Sequence, residues 1–142
     1  MTKKNIITWD LGATKCAAAL VEYDEKDHTL NCKKETSLKI RSCSSLKELV
    51  AQLEQALAIK MADADAICIG AAGHYDGENL YLEAGYPYPM EFNKLIKQER
   101  WAKTAVIHDY SPIICATFTS YMDRPENIIR LNSNIYIFNF FQ

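Results

Sequence analysis

Asn5-Ile6-Ile7-Thr8-Trp9-Asp10-Leu11-Gly12-Ala13-Thr14-Lys15-Cys16-Ala17-Ala18-Ala19-Leu20 is the stretch whose reading decides the fold. Asn5 to Trp9 is a short run rich in β-branched and aromatic side chains, and it ends at Asp10. Gly12 punctuates the chain, and a second apolar run follows from Cys16 to Tyr23. Asp24-Glu25-Lys26-Asp27 is a polar turn, and Thr29 to Ile40 carries a weaker strand signal. Two strands joined by a tight glycine turn predict an antiparallel hairpin.

Beyond the hairpin, helix and strand signals alternate. Ser45-Leu46-Lys47-Glu48 fits a capping box, and Leu46, Leu49, Val50, Leu53 and Leu57 then recur at helical spacing. Asp65 introduces Ala66-Ile67-Cys68-Ile69-Gly70-Ala71-Ala72-Gly73, a continuous apolar run expected of a strand covered on both faces. Asp76-Gly77 reads as a turn and Asn79 to Leu82 as a short strand. In Tyr86-Pro87-Tyr88-Pro89 each proline biases its predecessor away from helix, so this is an extended aromatic loop. Phe92, Leu95 and Ile96 mark a short helix, and Thr104 to Ile107 reads as another buried strand, stopping at His108-Asp109. Ser111-Pro112 offers an N-cap and a first-turn proline for a further helix. The tail from Asn132 to Gln142 has no charge and no helical period, and its aromatic, β-prone residues crowd together without a gatekeeper.

The bulk properties fit one cytoplasmic α/β domain. The chain has 142 residues, enough to bury a core without staples, and 49% of them are apolar. A net charge of −2 without a dominant basic patch argues against nucleic acid as a partner. Cys16, Cys32, Cys43, Cys68 and Cys115 are odd in number and lack C-x-x-C spacing, which reads as reduced thiols and no zinc site. Met1-Thr2-Lys3-Lys4 has no apolar signal-peptide segment behind it, and no run is long enough to span a bilayer, so no membrane partner is expected.

Three segments can carry chemistry. Asp10-Leu11-Gly12-Ala13-Thr14 reads either as a plain hairpin turn or as a phosphate loop. In the second reading glycine allows backbone N–H groups to approach a phosphate closely, the threonine hydroxyl adds a donor, and Asp10 holds Mg²⁺ through water. It is no Walker A loop, since no G-K-[ST] follows. Asp109, at a strand end, either caps the next helix or accepts the proton of an attacking hydroxyl during phosphoryl transfer. Gly70 to Gly77 is a small-residue segment that either turns the chain or lets a ligand approach. His74 reads as a surface histidine, and Tyr86 and Tyr88 as a cover for the core edge ahead of a binding wall.

Taken in order, Asp10-Leu11-Gly12-Ala13-Thr14-Lys15, Tyr75-Asp76-Gly77-Glu78-Asn79-Leu80-Tyr81-Leu82 with Tyr88-Pro89 and the Phe92 helix, and Val106-Ile107-His108-Asp109-Tyr110 resemble the N-terminal lobe of bacterial-type glucokinases. These belong to the actin-like ATPase superfamily, with hexokinases and sugar-kinase repressors. The resemblance runs from about Lys4 to Asn134 and covers less than half of a typical member. It implies a ribonuclease-H-like α/β lobe with a five-stranded mixed sheet, the first three strands antiparallel, and helices on both faces. It implies ATP and Mg²⁺ as cofactors and glucose or a related hexose as substrate, phosphorylated at the 6-hydroxyl. By this resemblance Asp109 is the general base and Asp10 supports Mg²⁺ through water. Gly12, Thr14 and Lys15 lie near the ATP phosphates, and His108 and Gly73 line the sugar pocket. The family pattern has glycine at Ala13 and asparagine at His108.

The expected organisation is a small lobe over residues 1–134 and a divergent apolar tail over 135–142, with the C-terminal large lobe absent. The family's second phosphate loop and adenosine-binding segment belong to that large lobe, so the chain alone is expected to be inactive. The tail composition fits translation past a frameshift or another early end. The alternative is a non-catalytic interaction lobe, pairing with a complementary large lobe or with itself as a homodimer.

Overall fold

The computed structural model describes residues 3–82 and 85–109 and the backbone of two strands over 128–132 and 135–138. Contacts divide the chain into two units, Met1–Asp109 and Tyr110–Gln142.

In the first unit, β1 (Lys3–Leu11), β2 (Lys15–Asp24) and β3 (Thr29–Lys39) form an antiparallel meander. This is the hairpin the opening stretch predicts, extended by one strand. β1 also pairs in parallel with β4 (Ala66–Ala71), and β4 in parallel with β7 (Lys103–His108). The result is a mixed five-stranded sheet in the order β3-β2-β1-β4-β7. A bulge between Leu20 and Val21 in the pairing of β2 with β3 leaves Lys33 unpaired on the edge strand.

One face of the sheet carries the core. Ile7, Trp9 and Leu11 alternate inward from β1, as a strand period of two requires. They are joined by Cys16 and Ala18 from β2 and by Ile67, Ile69 and Ala71 from β4. α1 (Leu46–Leu57) covers this face with the stripe read from the sequence: Leu46, Leu49, Val50, Leu53 and Leu57 are all buried. Each such leucine contributes about 1.5–3 kcal/mol. α2 (Phe92–Glu99) buries Phe92 and Leu95 in the same cluster. Trp9 meets Phe92 edge-on at 5.9 Å and Trp101 at 6.0 Å between ring centroids. The helix expected from Ser111 lies outside the described residues, so both described helices pack on one face.

The ends of α1 are set by local chemistry. Ser45 Oγ accepts the Glu48 N–H at 3.2 Å, as a capping box demands. The return bond lands one residue earlier than expected: Glu48 Oε2 accepts from the N–H and the hydroxyl of Ser44, at 2.7 and 2.6 Å. Ala58 ends the helix in the left-handed region at φ 57°, a position glycine normally takes.

β7 corrects one expectation. It is an edge strand with Lys103 and Ala105 exposed and Val106 and Ile107 half-buried, not a strand buried on both faces. Between β4 and α2, β5 (His74–Tyr75) and β6 (Leu80–Tyr81) form a minimal antiparallel pair around the Asp76-Gly77 turn. Asp76 Oδ1 accepts the N–H groups of Glu78 and Asn79, both at 2.8 Å, and these bonds hold its carboxyl below the ordinary value. In the second unit β8 (Ile128–Asn132) pairs antiparallel with β9 (Ile135–Phe138), so the β-prone tail does form a strand.

Candidate active site

β1, β4 and β7 run in the same direction, so their carboxyl ends share one edge of the sheet. Asp10 stands opposite Gly70 of β4, and Gly70 stands opposite Ile107 of β7. Asp109 follows two residues beyond Ile107, at the same parity as Asp10. The ladder continues past the strand ends: Ala72 N–H donates to Leu11 O at 2.9 Å, and Asp109 N–H donates to Ala71 O at 3.0 Å. Two interstrand spacings and one two-residue step separate the two aspartates, on the order of 12 Å between Cα atoms.

The turn from Gly12 to Thr14 joins β1 to β2 at this edge. Gly12 N–H donates to Lys15 O at 2.9 Å, so this amide is spent on the turn itself. Thr14 O accepts the Ile40 N–H at 3.0 Å, which ties the turn to the segment before α1. Among the described residues, neither the Ala13 nor the Thr14 N–H meets an acceptor. Ala13, Thr14, Lys15 and the Asp10 carboxylate are exposed. Gly12 has no positive φ, and a Cβ there would meet only Lys15 O at an ordinary 3.5 Å. Nothing in the turn itself therefore requires glycine.

Gly73 is a different case. Its φ is +107°, and a Cβ would fall 2.0 Å from Tyr81 O. The backbone crossing of the β5–β6 pair demands glycine here, whatever else the position does.

At the β7 end, His108 is exposed and stands opposite Ala71. His108 Nδ1 lies 2.9 Å from Asp109 Oδ1. That Asp109 oxygen is buried, and among the described residues the His108 ring is the group that approaches it. The Asp109 side chain as a whole remains one-third exposed. Tyr86, from the aromatic loop, donates its hydroxyl to Ala72 O at 2.5 Å. Burial first, then the charge of Asp109 and then Cys16, push the Tyr86 phenol up to about 12. Burial, then Asp10 and then Cys43, likewise push the Cys16 thiol up to about 12. Cys16 is therefore an inert core thiol, while Asp10 and Asp109 act electrostatically on neighbouring groups of one edge. The sequence favours Tyr86 as cover for the core edge over a binding wall, since a tyrosine in a Tyr-Pro repeat carries no signal of where its hydroxyl ends up. Tyr88 fits that reading: it is buried and donates to Ile40 O at 3.0 Å.

No family model and no curated protein matches the sequence. Solved structures do. A glucokinase from an Antarctic psychrotroph superposes with a TM-score of 0.65 and 14% identity, over 92% of this chain and 41% of that one. The fold is that of a sugar-kinase lobe. A glucokinase from Balamuthia mandrillaris, solved in complex with glucose, gives a TM-score of 0.54 at 18% identity, over 89% of this chain and 35% of its own. A ROK family protein from Streptococcus pneumoniae, solved with sucrose, gives 0.53 at 19% identity, over 86% and 39%. The chain thus spans about two fifths of the length of these structures. As expected, it is α/β with a mixed five-stranded sheet.

Among the described residues no three His, Cys, Asp or Glu side chains cluster as metal ligands, and His74 is exposed. No helix among them is long and apolar enough to cross a membrane.

Proposed function

We propose that this chain is the phosphate-loop and base-bearing lobe of a hexose kinase of glucokinase type, phosphorylating glucose or a related hexose at its 6-hydroxyl. The observation that carries the reading is the convergence of Asp10 and Asp109 at the carboxyl ends of parallel β1 and β7, with β4 between them. Ligands of open α/β sheets gather at such an edge.

The residues at the turn suit ATP and Mg²⁺. Asp10 offers one exposed carboxylate, which suits a Mg²⁺ that keeps its waters and phosphate ligands better than it suits a protein cage. The Ala13 and Thr14 amides and the Thr14 hydroxyl are donors for phosphate oxygens, Lys15 adds a positive charge, and Gly12 contributes clearance. Bound Mg-ATP supplies the phosphoryl group. Asp109 takes the proton of the sugar hydroxyl, for which a carboxylate at the strand end, one-third exposed, is suited. His108 and Gly73 border the sugar.

Phosphoryl transfer is mostly positioning and charge stabilisation, and a two-lobed cleft needs a large lobe, from the same polypeptide or from another. The isolated chain is accordingly expected to show negligible turnover in a coupled hexokinase assay, and a rate near ~10 s⁻¹ would refute this. Titration of Mg-ATP and glucose against thermal stability tests the assignment, because binding to the native state raises it. No shift with either ligand, with or without a complementary large lobe, would overturn it. An interaction lobe that only pairs with a second chain would show complex formation without any ligand response.

A further inference from the structure

The Ala71–Ala72 segment is a backbone bridge between the two halves of the candidate site. On one side Ala72 N–H donates to Leu11 O, next to Asp10, and on the other Ala71 O accepts the Asp109 N–H. The Tyr86 hydroxyl approaches from a third direction and donates to Ala72 O at 2.5 Å. The aromatic loop does not need that bond to stay in place. Tyr88 already ties it to Ile40 O at 3.0 Å, and Leu80 N–H donates to Met90 O at 3.1 Å across its base. The Tyr86 ring is itself partly buried against the core cluster.

We infer that Tyr86 is a positioning residue for the two-carboxylate edge: its hydroxyl fixes the Ala71–Ala72 bridge, and through it the placement of Asp109 relative to Asp10. The inference deepens the proposed kinase reading and rests on it where it treats Asp109 as the base. A hydroxyl that merely anchored the loop would bond to the loop's own packing partner, as Tyr88 does. That of Tyr86 instead bonds to the Ala72 carbonyl, on the peptide directly following the Ala71–Ala72 unit that bonds both neighbouring strands, and it sits within the field of Asp109.

Tyr86→Phe keeps the ring and removes the bond, and Tyr88→Phe is the matched control in the same loop. Amide hydrogen exchange of the folded chain, followed residue by residue by NMR, reads the effect without any ligand. Tyr86→Phe should speed exchange at Ala72 and Asp109 about tenfold relative to the β1 core amides, while Tyr88→Phe should leave that ratio unchanged. Equal effects of the two variants, or no effect of Tyr86→Phe at these amides, would overturn the inference. In an assembly with a complementary large lobe that phosphorylates hexose, Tyr86→Phe should lower kcat about tenfold with little change in KM for ATP. An unchanged kcat would also overturn it. If the wild-type assembly is inactive, the kinase reading fails, and the exchange experiment still decides the positional role.

Discussion

Asp10 and Asp109 are linked through the two hydrogen bonds of one peptide: Leu11 O, adjoining Asp10, accepts the Ala72 N–H, and Ala71 O accepts the Asp109 N–H. Nearly a hundred residues of chain are thereby closed onto one sheet edge. Because β1, β4 and β7 are parallel, both carboxylates lie at the same end of the sheet, beside the Gly12–Thr14 turn. Among the described residues the buried Asp109 oxygen has the His108 ring at 2.9 Å as its partner.

Asp109→Asn is expected to leave the fold intact, with stability unchanged within about 1 kcal/mol, because the side chain is one-third exposed, its shape is kept and its contact with the exposed His108 ring is worth little. In an assembly competent for sugar phosphorylation the same substitution should lower turnover by roughly 10²- to 10⁴-fold, the usual share of a general base. Urea denaturation and a coupled kinase assay measure the two quantities. A strong loss of stability with retained turnover would mark Asp109 as a structural cap.

Two glycines of the site should behave in opposite ways. Gly12→Ala meets only Lys15 O at 3.5 Å and no positive φ, so it should stabilise the chain by about 0.4–1 kcal/mol through the unfolded state. It should also weaken Mg-nucleotide binding, which calorimetry would show. Gly73→Ala drives a Cβ to 2.0 Å from Tyr81 O at φ +107°, and should cost more than about 2 kcal/mol. Thermal unfolding of both variants separates a glycine kept for a ligand from one kept for the backbone.

The ends of α1 give a stability test independent of function. Ser45→Ala removes the bond to the Glu48 N–H and should cost about 1 kcal/mol. Ala58→Gly relieves a left-handed alanine at φ 57° and should gain up to about 1 kcal/mol. Midpoints of urea unfolding at constant slope would report both.

Stability should fall at both ends of the pH range. Glu22, held below its ordinary 4.5 first by its bond to Lys3, and Glu48, held down first by the Ser44 hydroxyl, have lowered folded-state values. Their contribution is present above pH 4.5 and is lost as pH falls through those lowered values; both are half-buried side chains at the surface with solvent-screened partners, so the effect is small. On the alkaline side the Cys16 thiol and the Tyr86 phenol keep their protons in the folded state up to about 12, against ordinary values of 9.0 and 10.0. The unfolded chain loses these protons first, so stability is full below pH 9 and declines from there to about 12. The slope approaches about 1.4 kcal/mol per pH unit for each group. Urea titrations from pH 8 to 11 check this, and Cys16→Ala should flatten the first part of the decline.

The local part of the fold was legible because its signals are local. The Gly12 turn between two apolar runs, the Ser45 cap and the Leu46–Leu57 stripe, the Asp76-Gly77 turn and the Phe92 helix each follow from neighbours a few residues apart, and each is where the spacing predicts it. The order of motifs also pointed to the fold class before any coordinates. Where the reading went astray, the environment was non-local: β7 looked buried because its residues are apolar, but its place at the edge of the sheet leaves Ala105 in water.

The amino-acid sequence by itself determined the elements, the class of the sheet, and the two aspartates as the residues to watch, since periodicity, capping and turn chemistry are short-range. Only the tertiary structure decided that Asp10 and Asp109 share one edge, that the Gly12 amide is already spent on Lys15, that Gly73 answers to Tyr81, and that the Tyr86 hydroxyl reaches Ala72. Those facts depend on which strands lie side by side and in which register. That is settled by burying one continuous apolar face, a property of the whole sheet that no short stretch of chain contains.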